Sequence, residues 1–131
     1  MAVVVSHLAR DFESLARQAL RQVPLADVVE LRLDHVGDPG EERLAALIAE
    51  IGKPVIVTVH GPEAFGTFAG SVDERLEILR TAARAGAMFV DVDDTASPFA
   101  AFVKYNNPVS VGDAIRAAAE QGFIVACNAA G

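Results

Sequence analysis

With 131 residues, the chain is long enough to bury a sizeable hydrophobic core, and we predict one domain over residues 1–131. Its 52% hydrophobic and 22% charged residues are typical of a globular protein and exclude an intrinsically disordered one. The formal net charge of −7, without a basic run, argues against binding to nucleic acid, and no apolar run approaches the roughly 20 residues of a membrane span.

The amino-terminal part of the chain alternates between strand and helix patterns. The predicted strands cover 2–5, 27–33, 55–59 and 88–92, and the predicted helices cover 12–22, 41–51 and 72–84. Asp11 and Ser71 are good N-caps, Glu74 completes a capping box with Ser71, and Gly52 and Gly86 end helices. Strands that alternate with helices over short connections are parallel with right-handed crossovers, so we predict an α/β fold with a parallel sheet.

The carboxyl-terminal part of the chain breaks this alternation. Pro98 and the short length leave little room for a full helix between 93 and 101. A brief strand at 102–105, a helix at 111–121 and a last strand at 123–127 follow. The sequence therefore predicts a parallel sheet of about six strands.

Polar residues mark the carboxyl ends of these strands, where parallel α/β folds bind their ligands. The candidates are Ser6, Glu30, Arg32, Asp34, His60, Asp93, Lys104 and Asn128. Glu30, Arg32 and Asp34 alternate with two leucines, so they share one face of a strand that is either a wet edge or a site wall. Glu30 and Arg32 either serve a site or form an ion pair that only stabilises the interior.

Lys104 and His60 are the candidates for chemistry. Lys104 is one of two lysines, and its neighbours Phe102, Val103 and Tyr105 are apolar. A desolvated lysine has a lowered pKa, and its neutral amine can form a Schiff base with a carbonyl, although an ordinary strand-edge lysine fits the same pattern. His60 is either an acid/base or anion-binding group, or a hydrogen-bonded structural residue.

The sequence predicts neither a metal nor a cofactor. The three histidines lack metal-ligand spacing, and no phosphate-binding loop, dinucleotide motif or nucleophile elbow occurs. The single cysteine, Cys127, cannot form an intrachain disulfide and indicates a reducing compartment. Because the amino terminus has no signal-peptide pattern, we expect a cytoplasmic protein.

Several stretches together resemble the type I 3-dehydroquinate dehydratases. The stretches are 29–34 (Val-Glu-Leu-Arg-Leu-Asp), 53–59, 68–71, 74–76 and 85–93, and more weakly 102–105, Ser110, 113–116 and 124–131. These lyases of the shikimate pathway are (β/α)8 barrels that bind their substrate as a Schiff base. The resemblance implies an incomplete, TIM-barrel-related (β/α) fold in which Glu30 and Arg32 face the substrate and Lys104 is the covalent residue.

The chain departs from the family pattern at several positions. The family has an arginine at the end of its third strand, where this chain has His60, and Glu63 is the nearest match to a loop carboxylate. Asp93 runs almost directly into Phe102, so the strand with the general-base histidine has no counterpart. The eighth strand and the loop before it also have none. Missing strands leave unpaired sheet edges, so we expect a homo-oligomer.

Two hypotheses of different classes follow. In the first, the chain is a shortened 3-dehydroquinate dehydratase: Lys104 forms the imine, His60 is the base, and Glu30, Arg32 and Ser6 bind the small-molecule substrate. In the second, it is an inactive relic or a rearranged β/α protein that acts as a binding or assembly module. A third alternative is another imine-forming barrel lyase, which Lys104 alone supports.

Overall fold

Four parallel strands alternate with three helices in the residues that the computed structural model describes, 2–62 and 66–91. The elements are β1 (Val4–Leu8), α1 (Phe12–Gln22), a 3-10 helix (Val23–Leu25), β2 (Val28–Arg32), α2 (Glu41–Ile51), β3 (Val55–Thr58), α3 (Val72–Ala85) and β4 (Phe89–Asp91). The predicted elements beyond Asp91 lie outside the described residues.

The strands form one sheet in the order β1-β2-β3-β4, and each neighbouring pair is parallel. Ser6 lies opposite Glu30, Arg32 lies opposite Thr58, and Thr58 lies opposite Asp91. Each of the first three strands is followed by a helix that returns the chain to the same end of the sheet, as parallel pairing requires. The predicted parallel β/α fold is confirmed, and the described part is compatible with an incomplete barrel.

Helices α1 and α3 begin where the sequence supplies a capping side chain. Asp11 Oδ1 accepts a hydrogen bond of 2.8 Å from the backbone N–H of Ser14, and this bond lowers the pKa of Asp11. Ser71 Oγ accepts a bond of 3.1 Å from the N–H of Glu74. Both predicted N-caps are therefore confirmed, and α1 has the predicted bounds.

The strand bounds differ more from the sequence prediction. β1 runs from Val4 to Leu8 rather than over 2–5, so Ser6 and His7 lie within the strand instead of after it. Tertiary contacts extend the strand, because His7 pairs with Leu31 of β2 and Leu8 pairs with Arg32, the last residue of β2.

The three helices pack on one face of the sheet. The hydrophobic core lies between the helices and this face. The fully buried members include Leu15, Val29, Leu31, Leu33, Leu44, Val57, Val59 and Leu79. The apolar pattern of the sequence over 72–84 predicts that Ala83 packs inward, and this prediction is wrong: Ala83 is exposed, while Ala82 and Ala85 are buried. The centre of the buried stripe runs through Ile78, Ala82 and Ala85 at helical spacing, and Ala83 lies beside it. Within the described residues, no helix is long and apolar enough to cross a membrane.

His7 is an unusual member of the helix-covered face. It lies opposite the fully buried Leu31, and it is itself only 3% exposed. Among the described residues, its Nε2 atom has no hydrogen-bond partner. Burial lowers the pKa of His7 from its ordinary value of 6.5, because the charged imidazolium loses its hydration.

We therefore expect His7 to make folding stability sensitive to acid. Below pH 6.5 the unfolded state binds a proton at His7 that the folded state does not yet bind. Above pH 6.5 the neutral His7 does not reduce the free energy of unfolding. As the pH falls from 6.5 toward the lowered pKa, this free energy decreases by at most about 1.4 kcal/mol per pH unit. Urea unfolding of the His7→Gln variant should show a smaller loss of stability in this range than the wild type.

The matched control is His35→Gln, which makes the same change at an exposed histidine. Its pH dependence should follow that of the wild type. An unchanged pH dependence in His7→Gln would contradict the expectation.

Candidate active site

The face of the sheet opposite the helices carries polar side chains, and Glu30 of β2 lies at their centre. Ser6 Oγ of β1 donates a hydrogen bond of 2.5 Å to Glu30 Oε1, and Thr58 Oγ1 of β3 donates one of 2.8 Å to Glu30 Oε2. Hydroxyl groups from both neighbouring strands thus fix the orientation of the carboxylate. Each carboxylate oxygen can accept more than one hydrogen bond, so Glu30 can still bind a substrate hydroxyl.

A second polar group lies toward the carboxyl ends of β2 and β3 and centres on Asp34. Arg32 Nη2 donates to Asp34 Oδ2, and the backbone N–H of His60 donates to Asp34 Oδ1 at 3.3 Å. The side chain of Asp34 is 0% exposed and that of Arg32 is 25% exposed. Burial of the carboxylate is tolerated because both of its oxygens accept hydrogen bonds, one of them from a cation.

His60 extends this polar group to β4. Its Nε2 lies 3.3 Å from Asp91 Oδ2, and the two side chains are 7% and 22% exposed. The contact becomes an ion pair when the imidazole is protonated. A carboxylate beside one ring nitrogen restrains the orientation of the imidazole ring.

Five of the eight predicted candidates come together here. They are Ser6, Glu30, Arg32, Asp34 and His60, which lie on the polar face or at its carboxyl end. Arg32 pairs with Asp34, whereas the Glu30 carboxylate accepts hydrogen bonds from hydroxyls of both neighbouring strands. The remaining candidates, Lys104, Asp93 and Asn128, lie outside the described residues.

Two polar residues of this site, Thr58 and Asp91, were not predicted from the sequence. Thr58 looks like one more β-branched residue of a buried strand, and it is 1% exposed. Asp91 lies among apolar residues at the end of a predicted strand. The alternation of side chains along a strand could have identified Thr58, because Thr58 lies two residues before His60 and therefore on the same face.

Comparison with known proteins identifies the family. Residues 3–109 match the model of the type I 3-dehydroquinase family. The chain belongs to this family. The resemblance seen in the sequence is thereby confirmed, and the polar face of the sheet is the candidate active site of a type I 3-dehydroquinase family member.

This chain aligns with only part of the length of each relative. A 3-dehydroquinate dehydratase of Methanothermobacter thermautotrophicus is 46% identical over 68 residues, which are 52% of this chain and 30% of that relative. One from Methanococcus maripaludis is 26% identical over 108 residues, which are 82% of this chain and 48% of the relative. The chain spans less than half the length of these two curated relatives.

A solved structure of a 3-dehydroquinate dehydratase is also similar to this chain. The crystal structure of the 3-dehydroquinate dehydratase from Aquifex aeolicus VF5 aligns with a TM-score of 0.44 at 19% sequence identity. The alignment covers 73% of this chain and 55% of that one.

Proposed function

We propose that this type I 3-dehydroquinase family member dehydrates 3-dehydroquinate to 3-dehydroshikimate through a Schiff base at Lys104. Family membership supports the reaction class. The observation that carries the proposal is the Glu30 carboxylate, held by Ser6 and Thr58 on the polar face that also bears Arg32. A charged group fixed by both neighbouring strands is preorganised for a polar ligand.

The reaction begins at the Lys104 amine. The amine attacks the ketone carbon of the substrate, and water leaves as the imine forms. The protonated imine withdraws electrons, so a base can remove a proton from the neighbouring carbon. The electron pair of that C–H bond forms the new double bond. The substrate hydroxyl takes a proton from the protonated base and departs as water. Hydrolysis of the imine then releases the product and regenerates the amine.

The described residues have distinct tasks in this proposal. Glu30 accepts hydrogen bonds from substrate hydroxyls, with Ser6 beside it. Arg32 binds an anionic or polar part of the substrate through the guanidinium nitrogens that do not face Asp34. His60 is the base, because it is the histidine at the carboxyl end of β3 and its ring contacts the Asp91 carboxylate.

The proposal extends to a cytoplasmic homo-oligomer. Cys127 is the only cysteine, which fits a reducing compartment. The connection between Asp93 and Phe102 has little room for the strand that the family places there. A barrel with such a gap has unpaired edges, and association with a second copy would cover them.

The same short connection favours a second candidate function. Without the family's general-base strand, the chain would be an inactive β/α protein that keeps the fold and binds a ligand or partner. This alternative predicts no turnover by a folded protein.

Borohydride trapping tests the proposed function directly. Reduction of the protein with sodium borohydride in the presence of 3-dehydroquinate should attach the reduced substrate to the peptide that contains Lys104, as read by mass spectrometry. Lys53 is an internal control in the same sample, because its Nζ donates to the carbonyls of Val23 and Ala26, at 2.6 Å for Val23. A folded sample with Lys104 unmodified, or with both lysines modified equally, would contradict the Schiff-base mechanism.

A further inference from the structure

We infer that Asp34 is a positioning residue that orients Arg32 for substrate binding and ties it to the end of β3. This inference rests on the proposed function, because it assigns Arg32 to the substrate. Asp34 does not need to touch the substrate in this role.

The geometry gives each oxygen of Asp34 a separate partner. Oδ2 accepts from the Arg32 guanidinium, and Oδ1 accepts from the backbone N–H of His60 at 3.3 Å. The Asp34 side chain is 0% exposed, so its position is fixed by packing as well as by these bonds. One carboxylate therefore connects a binding side chain of β2 with the residue that ends the polar row of β3.

The burial of Asp34 explains why the arrangement is rigid. A buried carboxylate without its cation would carry a large desolvation penalty, so the Arg32 rotamer that reaches Asp34 is strongly preferred. The planar guanidinium then presents its other nitrogens in a fixed plane. Arg32 is 25% exposed, so part of it remains accessible from the polar face.

The backbone just after β2 holds Asp34 in this position. The N–H of Leu33 donates a hydrogen bond of 2.8 Å to the carbonyl of Thr58, which continues the pairing of β2 and β3 past the end of the strand. Leu33 is fully buried in the core beside the helices. The residue before Asp34 is therefore held both by the sheet and by the core.

The kinetic test compares Asp34→Asn, Arg32→Lys and the double variant. Asparagine keeps the size of the side chain and an acceptor for the His60 N–H, but it loses the charge that holds Arg32. For Asp34→Asn we expect the KM for 3-dehydroquinate to rise roughly 10- to 100-fold, because a hydrogen bond between charged groups contributes about that factor to binding. We expect kcat to stay within about twofold of the wild type. In the Arg32→Lys background the same change should raise KM by less than about twofold, because Asp34 acts through Arg32.

Asp27→Asn is the matched control. It removes one carboxylate charge at the amino end of β2, where Asp27 Oδ2 accepts a bond of 2.7 Å from the N–H of Val3. Its KM should equal that of the wild type. Independent, multiplicative effects of Asp34→Asn and Arg32→Lys, or a folded Asp34→Asn variant with unchanged KM, would overturn the inference.

An NMR measurement on the wild type decides the matter if Asp34→Asn does not fold. Resolved Nη signals of Arg32, assigned by their loss in Arg32→Lys, would show restricted rotation of the guanidinium. A freely rotating guanidinium would overturn the inference. A wild-type protein that neither binds nor converts 3-dehydroquinate would instead overturn the proposed function, and the NMR signals would still report on Asp34.

Discussion

Replacing Lys104 with alanine should reduce 3-dehydroquinate turnover by about 10³-fold or more, because loss of a covalent nucleophile removes the whole Schiff-base route. Lys104→Arg should lose activity to a similar extent. Arginine keeps the positive charge, but its guanidinium cannot act as a neutral amine. The measurement is the rate of 3-dehydroshikimate formation by each purified variant.

Lys53→Arg serves as the control for these variants. It makes the same chemical change at the other lysine, whose amine binds backbone carbonyls between α1 and β2. This variant should keep wild-type turnover. Substantial activity of a folded Lys104→Arg protein would show that Lys104 supplies charge rather than a covalent bond.

Truncation of Leu31 to alanine should cost about 2–5 kcal/mol of unfolding free energy. Leu31 of β2 is fully buried, on the face that packs against the helices. The substitution removes apolar contacts and leaves a cavity between layers that cannot fully collapse. Urea unfolding should show a lower midpoint with an unchanged m-value.

Leu25→Ala removes the same atoms from a residue that is 69% exposed. Its free energy of unfolding should stay within about 0.5 kcal/mol of the wild type. Equal effects of the two substitutions would contradict the assignment of Leu31 to the core.

The two faces of β2 separate stability from chemistry. Leu31 and its core neighbours hold the helices on the sheet, while Glu30 and Arg32 point to the opposite face. Changes at the first set should lower stability, and changes at the second should alter substrate affinity or turnover. The alternation of a β-strand places both functions within a few consecutive residues.

Local signals predicted the helices well. The bounds of α1 follow from its N-cap Asp11 and its apolar periodicity, and those of α2 follow from its apolar periodicity and its closing glycine, Gly52. These signals all lie within one or two turns of the chain. At Gly52 the backbone has φ +66°, a conformation that glycine adopts without strain. The burial of Ala82 instead of Ala83 was not predictable in this way, because it depends on how α3 is rotated against α2 and the sheet.

The sequence by itself determined the order of strands and helices, the parallel sheet and the row of charges on β2, because these depend on periodicity and short-range chemistry. Only the tertiary structure decided that Glu30 binds Ser6 and Thr58 and that Asp34 binds Arg32 and the backbone of His60. Most of these partners lie 24 to 28 residues apart in the chain, and a shift of one residue in strand register would send their side chains to opposite faces.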